Sequence, residues 1–117
     1  MSLRWQSIVI DCTDPLLVAT FWGGALGLEV HGPDDGVYWI EPGGESPDIL
    51  FLHVPEQKSV KDRIHIDLRP DDQAAEVERL TSLGATRIDI GQGDVTWVVM
   101  ADPEANEFCV LRPRAGA

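Results

Sequence analysis

The chain has 117 residues, of which 44% are hydrophobic and 25% charged, and this composition is typical of one globular domain. Its formal net charge is -11 and its nine Lys and Arg residues form no basic stripe, which argues against nucleic acid as a partner. Two cysteines, no charged-then-apolar leader and no apolar run of about twenty residues predict a cytoplasmic protein with no membrane partner.

The first half of the chain predicts one strand, one helix and three further strands. Asp14 is typical of a helix cap, and Pro15 suits the first helical position, where a missing N–H costs no hydrogen bond. Gly27 is typical of a helix end. Alternating or continuous apolar residues predict strands at 5–12, 28–31, 37–41 and 49–54.

The second half repeats this order. A helix capped by Asp71 or Asp72 carries apolar residues at helical spacing and ends at Gly84. The predicted strands cover residues 63–68, 86–90, 95–100 and 107–111. Asp, Pro and Asn between the last two strands are typical of a tight turn.

A constant spacing relates the two halves. Trp97 lies 58 positions after Trp39, and the capping Asp72 lies 58 positions after Asp14. Two copies are too few for a repeat array, so the spacing predicts two modules, at 4–55 and 63–113, within a single domain at 4–113.

The stretch 101–111, which reads ADPEANEFCVL, gives this layout a family resemblance. Together with the duplicated module and the histidine at position 65, it resembles the vicinal oxygen chelate superfamily. That superfamily includes glyoxalase I, extradiol dioxygenases, and fosfomycin-resistance and bleomycin-resistance proteins, and this chain is most similar to its small glyoxalase-like domains. The resemblance implies an α+β fold in which two βαβββ modules pair and curved mixed sheets surround a cavity.

The resemblance also implies where a metal would bind. Metal-dependent members take ligands from the first and fourth strands of each module, and the ion polarises two neighbouring substrate oxygens. The matching positions here are Ser7, Phe51, His65 and Cys109. Serine is a poor ligand, phenylalanine is none, and cysteine would replace a hard carboxylate, so we expect a degenerate metal site unless His53 or Asp48 substitutes. A divalent metal is thus the one cofactor that the resemblance suggests, and the residues do not support it.

His65 is the first candidate for chemistry. An imidazole can act as general acid or base near neutral pH, but a histidine on a half-buried strand often only bonds to its neighbours. Asp67 lies on the same face of the predicted strand and could orient His65, or it is a solvated aspartate at a sheet edge.

Further cavity candidates are aromatic or sulfur-bearing. We expect one of Trp39 and Trp97 in the core and the other against a ligand. Cys109 is expected as a small buried hydrophobic residue, with a reactive thiol as the alternative.

Three functions fit these residues. The first is a glyoxalase-like lyase or isomerase in which His65 transfers a proton. The second is a non-catalytic protein of bleomycin-resistance type that sequesters an antibiotic or metabolite. The third is a regulatory or structural dimer. The expected partners are a small-molecule ligand and a second copy of the chain.

Overall fold

The computed structural model describes residues 2–114. The chain divides into two compact units, one up to Gln57 and one from Lys58, and each contains one helix and one four-stranded mixed sheet. The predicted α+β class with two βαβββ modules is therefore confirmed. Within residues 2–114, no helix has the length and apolar character needed to cross a membrane.

The first unit has its strands in the order β1-β4-β3-β2, with β1 parallel to β4 and the other neighbours antiparallel. Its elements are β1 (Ser7–Cys12), α1 (Pro15–Leu26), β2 (His31–Asp34), β3 (Val37–Ile40) and β4 (Asp48–His53).

The second unit repeats this topology, with the order β5-β8-β7-β6 and a parallel pair β5 and β8. Its elements are β5 (Ile66–Leu68), α2 (Gln73–Ser82), β6 (Thr86–Arg87), β7 (Val98–Ala101) and β8 (Glu107–Val110).

Both helices begin at the predicted aspartates. The Asp14 carboxylate accepts a hydrogen bond from the N–H of Leu17 at 3.2 Å, and Asp72 accepts one from Ala75 at 3.0 Å. Each bond satisfies one of the N–H groups that a helix start leaves without an intrahelical acceptor. Gly27 ends α1 with φ 67°, a left-handed conformation that glycine adopts without a steric penalty.

Each unit packs its helix on one face of its sheet. In the first unit, Phe21 and Trp22 of α1 are buried, and their rings meet edge to face with centroids 5.3 Å apart. Burial of one such side chain contributes roughly 1.5–3 kcal/mol. In the second unit, α2 contributes Leu80, while Phe108 and Val110 of β8 are buried on alternate positions of the strand.

Several predicted strands are shorter or displaced, and at two of them local hydrogen bonds account for the difference. The strand predicted at 28–31 begins only at His31, since the N–H of Leu28 closes the helix end by donating to the carbonyl of Gly23 at 2.9 Å. The strand predicted at 86–90 stops at Arg87. Beyond it, the side chain of Asp89 accepts from the N–H of Gly91 at 2.7 Å, which bends the chain into a turn.

The strand registers correct the repeat that the sequence predicts. When the capping aspartates are aligned, Ile10 on β1 corresponds to Leu68 on β5. Ile10 pairs with Phe51, and Leu68 pairs with Val110, so Phe51 corresponds to Val110. The constant spacing instead aligns Phe51 with Cys109, and it is therefore wrong by one position at the fourth strands.

This shift changes which residues occupy equivalent positions. Cys109 corresponds to Leu50, and their partners on the third strands are Val99 and Trp39. Trp39 thus corresponds to Val99, and Trp97 is not its counterpart. Compared with the first module, the second has two more residues between its helix and its third strand. It has one fewer between its third and fourth strands. Surface connections accommodate such differences in length.

The turn before β8 is organised by one buried carboxylate. Asp102 is 3% exposed, and its Oδ1 accepts hydrogen bonds from the N–H groups of Glu104 at 2.9 Å and Asn106 at 3.0 Å. The Asn106 side-chain amide donates to both carboxylate oxygens, at 3.1 and 2.9 Å. The motif residues thus serve the turn, as the sequence predicts, and they orient the strand that follows.

We expect Asp102→Ala to lower the free energy of unfolding by roughly 2–4 kcal/mol, because it leaves several partly buried donors without an acceptor. Chemical denaturation of the variant measures this loss. Asp94→Ala, which removes an exposed turn aspartate, is the control and should change stability by less than about 0.5 kcal/mol. Equal effects of the two substitutions would contradict the role of Asp102.

Candidate functional site

The second unit contains a concave pocket of about 400 Å³. Trp97, Ile90, Val99 and Leu111 provide apolar walls, and the remaining lining residues are polar or titratable. All ten lining residues belong to the second unit. They are Lys61, His65, Asp67, Ile90, Gln92, Trp97, Val99, Glu107, Cys109 and Leu111.

Parallel pairing of β5 and β8 brings the polar residues together. Asp67 lies directly opposite Cys109 in the ladder. Alternate residues of a strand share a face, so Glu107 joins Cys109 on the pocket side, and His65, directly before β5, lines the pocket with Asp67. Four titratable groups from two short segments therefore meet on one face of the sheet.

His65, Asp67 and Cys109 form a compact cluster, which we call the triad. His65 Nε2 lies 3.1 Å from Asp67 Oδ1. One nitrogen, oxygen or sulfur atom from each of the three side chains lies within 4.8 Å of the other two. Asp67 therefore contacts His65 directly, and both side chains are about half exposed, at 45% and 51%.

The polar contacts of the triad converge on Asp67. Its Oδ1 faces Nε2 of His65, so Nδ1 is the imidazole nitrogen that is not directed at this carboxylate. Burial raises the pKa of the Cys109 thiol, the charge of Asp67 and a hydrogen bond with it raise that pKa further, and Lys61 partly offsets the shift. The thiol therefore stays protonated near neutral pH, and Cys109 is not a ready nucleophile.

Glu107 belongs to a second cluster, beside the triad in sequence. Its carboxylate accepts from Lys58 Nζ at 2.9 Å and from the backbone N–H of Asp62 at 3.0 Å. Lys58 Nζ also lies 4.0 Å from Asp62 Oδ1. One ammonium thus holds two neighbouring carboxyl groups.

The two carboxyl groups of this cluster have widely different pKa values. Burial, followed by the charge of Glu107 and a hydrogen bond with it, raises the pKa of Asp62 to about 6, although Lys58 opposes the shift. Burial of Glu107 favours its neutral form, but the hydrogen bonds from Asp62 and Lys58 outweigh burial and lower its pKa to about 2. Glu107 therefore carries its charge throughout the neutral range, and Asp62 is the group of the pair that gains a proton first.

The two candidate tryptophans differ in their surroundings. Trp97 is 40% exposed and lines the pocket. Trp39 lies in the first unit, where its Nε1 donates to Glu41 at 2.9 Å and its ring stacks on His31 with centroids 5.6 Å apart.

The other two candidates also lie in the first unit. Ser7 is half-buried at the start of β1, opposite Asp48. Phe51 is fully buried, on the same face of β4 as the buried Ile49, and pairs with Ile10 and Tyr38. The assignment of Phe51 as the counterpart of Cys109 came from the constant spacing between the modules, and the observed register gives that position to Leu50.

A family model for the Glyoxalase-like domain matches residues 7–111. The chain belongs to this family. The resemblance to the vicinal oxygen chelate superfamily that residues 101–111 suggest is thereby confirmed. No curated protein matches this glyoxalase-like domain.

Solved structures share the fold at low sequence identity. A glyoxalase/bleomycin resistance protein/dioxygenase family enzyme from Burkholderia phytofirmans PsJN is 16% identical, with a TM-score of 0.73 over 96% of this chain and 100% of that one. The hypothetical protein SA1046 from S. aureus is 13% identical, with a TM-score of 0.71 over 96% and 95%. The fosfomycin resistance protein FosX from Mesorhizobium loti is 14% identical, with a TM-score of 0.70 over 95% and 92%.

The residues at the superfamily's ligand positions do not fit its usual metal. With the observed register these positions hold Ser7, Leu50, His65 and Cys109. They provide one imidazole and one thiol, whereas an octahedral site for a hard cation needs several carboxylate or carbonyl oxygens. No step of a reaction is therefore assigned to such a metal.

Sequence reasoning missed the cluster of Lys58, Asp62 and Glu107. Glu107 could have been found, because it lies two residues before Cys109 on the same strand and must share its face. Lys58 and Asp62 lie in a polar connection without periodicity, and only the folded chain brings them to Glu107.

We expect Asp62→Asn to gain stability relative to the wild type as the pH rises from about 4 to about 7. The native state holds a proton on Asp62 up to a pKa of about 6, whereas the ordinary value is 3.8, so ionisation of Asp62 destabilises the wild-type fold in this window. Glu107 acts in the opposite sense at lower pH. Its charged form stabilises the fold fully above its ordinary pKa of 4.5, and this stabilisation is lost as the pH falls towards 2.

The measurement is the free energy of unfolding of both proteins at the two pH values. Asp94→Asn serves to subtract the effect of removing one exposed carboxylate. A constant difference between wild type and Asp62→Asn across the window would show that Asp62 is not held in its neutral form.

Proposed function

We propose that this glyoxalase-like domain binds a small organic molecule in the pocket of its second unit. The observation that carries the proposal is a pocket of about 400 Å³ whose apolar walls adjoin a small set of converging polar groups. Sites for small ligands typically combine these two features, since the apolar surface supplies affinity and the polar groups fix orientation.

The lining favours a particular class of ligand. Trp97 offers a flat apolar surface. At neutral pH the carboxylates at and beside the pocket outnumber the ammonium groups, since Asp67, Glu107 and Asp62 stand against Lys61 and Lys58. An excess of negative charge repels anions and attracts cations or hydrogen-bond donors. The proposed ligand is therefore planar or apolar over most of its surface and carries an amine or another donor group. Antibiotics and metabolites both include such molecules, and the fold similarity to the fosfomycin resistance protein supports testing antibiotics among them.

We expect aromatic amines to raise the melting temperature and to quench tryptophan fluorescence, whereas matched aromatic carboxylates should do neither. Preferential binding to the folded state stabilises it by linkage, and Trp97 lies at the pocket wall. A fragment set of paired amines and carboxylates, measured by thermal shift and fluorescence, tests this preference.

Two variants make the test specific. Trp97→Ala should weaken amine binding by about tenfold or more, the equivalent of roughly 1–2 kcal/mol for one lost aromatic contact. Trp5→Ala removes a tryptophan of the first unit that is 73% exposed and should leave binding unchanged. Silence of the whole fragment set, or equal effects of the two substitutions, would exclude the pocket as the binding site.

A second function, proton transfer, is favoured by the contact between His65 and Asp67. With Nε2 3.1 Å from Asp67 Oδ1, the proposed base is Nδ1, which removes a proton from a carbon next to a carbonyl group and returns it to the carbonyl carbon. Lys61 supplies positive charge for the oxygen that becomes negative between the two transfers. Between the two transfers the hydroxyl proton of the substrate passes through solvent to the former carbonyl oxygen, so the carbonyl group and the carbon-bound proton exchange places and no other reactant is consumed.

We expect His65→Ala to reduce hemithioacetal isomerisation by about 10²–10⁴-fold, the usual contribution of a general acid–base group. Stopped assays of the metal-free protein with hemithioacetals of aromatic 2-oxoaldehydes, which keep a carbonyl group next to the reacting carbon, measure this loss. His53→Ala, which changes an exposed histidine at the end of β4, is the matched control. Wild-type turnover at background level would leave binding as the function, and full turnover by His65→Ala would remove the role of His65.

A further inference from the structure

We propose that the triad of His65, Asp67 and Cys109 is a binding site for a thiophilic divalent cation of the zinc class, built entirely within the second unit. The cation site is independent of the proposed small-molecule function, because protein side chains supply all of its donor atoms and cation binding is measured without any organic ligand.

The positions of the donor atoms support a single shared ion. The three potential ligand atoms lie within 4.8 Å of one another, and His65 Nε2 and Asp67 Oδ1 are 3.1 Å apart. Zinc binds nitrogen and oxygen at about 2.0–2.2 Å and sulfur at about 2.3 Å, so tetrahedral ligands are separated by about 3.3–3.8 Å. Small rotations of exposed side chains are enough to close the remaining difference.

The donor types select the class of cation. An imidazole, a carboxylate and a thiolate suit Zn²⁺, Co²⁺ and Cd²⁺, whereas Mg²⁺ and Ca²⁺ require oxygen ligands. Three protein ligands leave a fourth position free, as in zinc sites that accept an outside ligand. All three residues line the pocket, so an ion can enter from it and the free position is reachable by small molecules.

Metal binding replaces the polar contacts of the triad and releases one proton. The thiol of Cys109 loses its proton to solvent, and a neutral His65 that binds the ion through Nε2 carries its proton on Nδ1. One proton is released for each divalent cation bound. Asp67, which accepts from both neighbours in the absence of metal, keeps its negative charge and becomes the third ligand.

This site differs from the one that the superfamily resemblance implies. That pattern draws ligands from both modules and does not include the position of Asp67. In the first unit the positions equivalent to the triad hold Ser7, Val9 and Leu50, which cannot complete a comparable set. Metal binding also uses the proton-accepting capacity of His65, so the metal-bound protein and the metal-free base are alternative states of one side chain.

The test is a titration of the metal-free protein with Co²⁺, followed in the near ultraviolet, where a cobalt–thiolate bond produces a charge-transfer band. We expect one Co²⁺ per chain, displacement by stoichiometric Zn²⁺, and no displacement by a large excess of Mg²⁺. Cys109→Ser should abolish the band. His65→Ala and Asp67→Asn should each weaken Co²⁺ binding by at least about 100-fold, because loss of even an outer partner of a metal ligand costs about 10–100-fold.

The first unit offers matched controls for all three ligands. They are Cys12→Ser, His53→Ala and Asp11→Asn, and each should leave the titration unchanged. Cys12→Ser retains a donor for the carbonyl of Ile10, to which Cys12 Sγ donates at 3.3 Å. His65 and Asp67 are half exposed, so their variants are expected to fold even if Cys109→Ser does not. Absence of the band, its survival in Cys109→Ser, or unchanged affinity in both His65→Ala and Asp67→Asn would overturn the proposal.

Discussion

The candidate site of this domain depends on the parallel pairing of β5 with β8. That ladder places Asp67 opposite Cys109, alternation along β8 brings Glu107 to the face of Cys109, and His65, directly before β5, lines the same pocket. In the sequence, His65 is close only to Asp67, and Glu107 is close only to Cys109. The fold brings these two distant pairs together. The turn organised by Asp102 sets the start of β8, so a buried carboxylate outside the pocket helps to determine the geometry inside it.

Local signals in the sequence predicted local structure well. The caps at Asp14 and Asp72, the left-handed Gly27 and the turn at Asp102 are all settled by hydrogen bonds within a few residues. Such signals are readable because the side chain that forms the bond is also the one that the backbone conformation requires. The two helices, most of the strands and the duplicated topology followed from them.

Registers between strands were less accessible. The constant spacing of the capping aspartates aligned Trp97 with Trp39, but pairing across the sheets aligns Trp39 with Val99 instead. Lengthening or shortening a connection by one or two residues leaves the apolar pattern of the sequence almost unaltered. It nevertheless shifts which strand residues are equivalent, by one position to the opposite face or by two positions along the same face. For the same reason Asp67 could be placed on the face of His65, while its contact with Cys109 could not be foreseen.

The two units also show how a duplicated fold can concentrate its chemistry in one copy. Asp48 occupies the position equivalent to Glu107, but Val9 and Leu50 stand where the second unit has Asp67 and Cys109. Both apolar residues fit the same backbone, because a strand accepts either kind of side chain on a face that is not fully buried. The first unit therefore keeps the sheet and the helix without the triad. The constraint that remains common to both copies is the parallel ladder between first and fourth strands, and the side chains on it determine which copy carries the cluster of titratable groups.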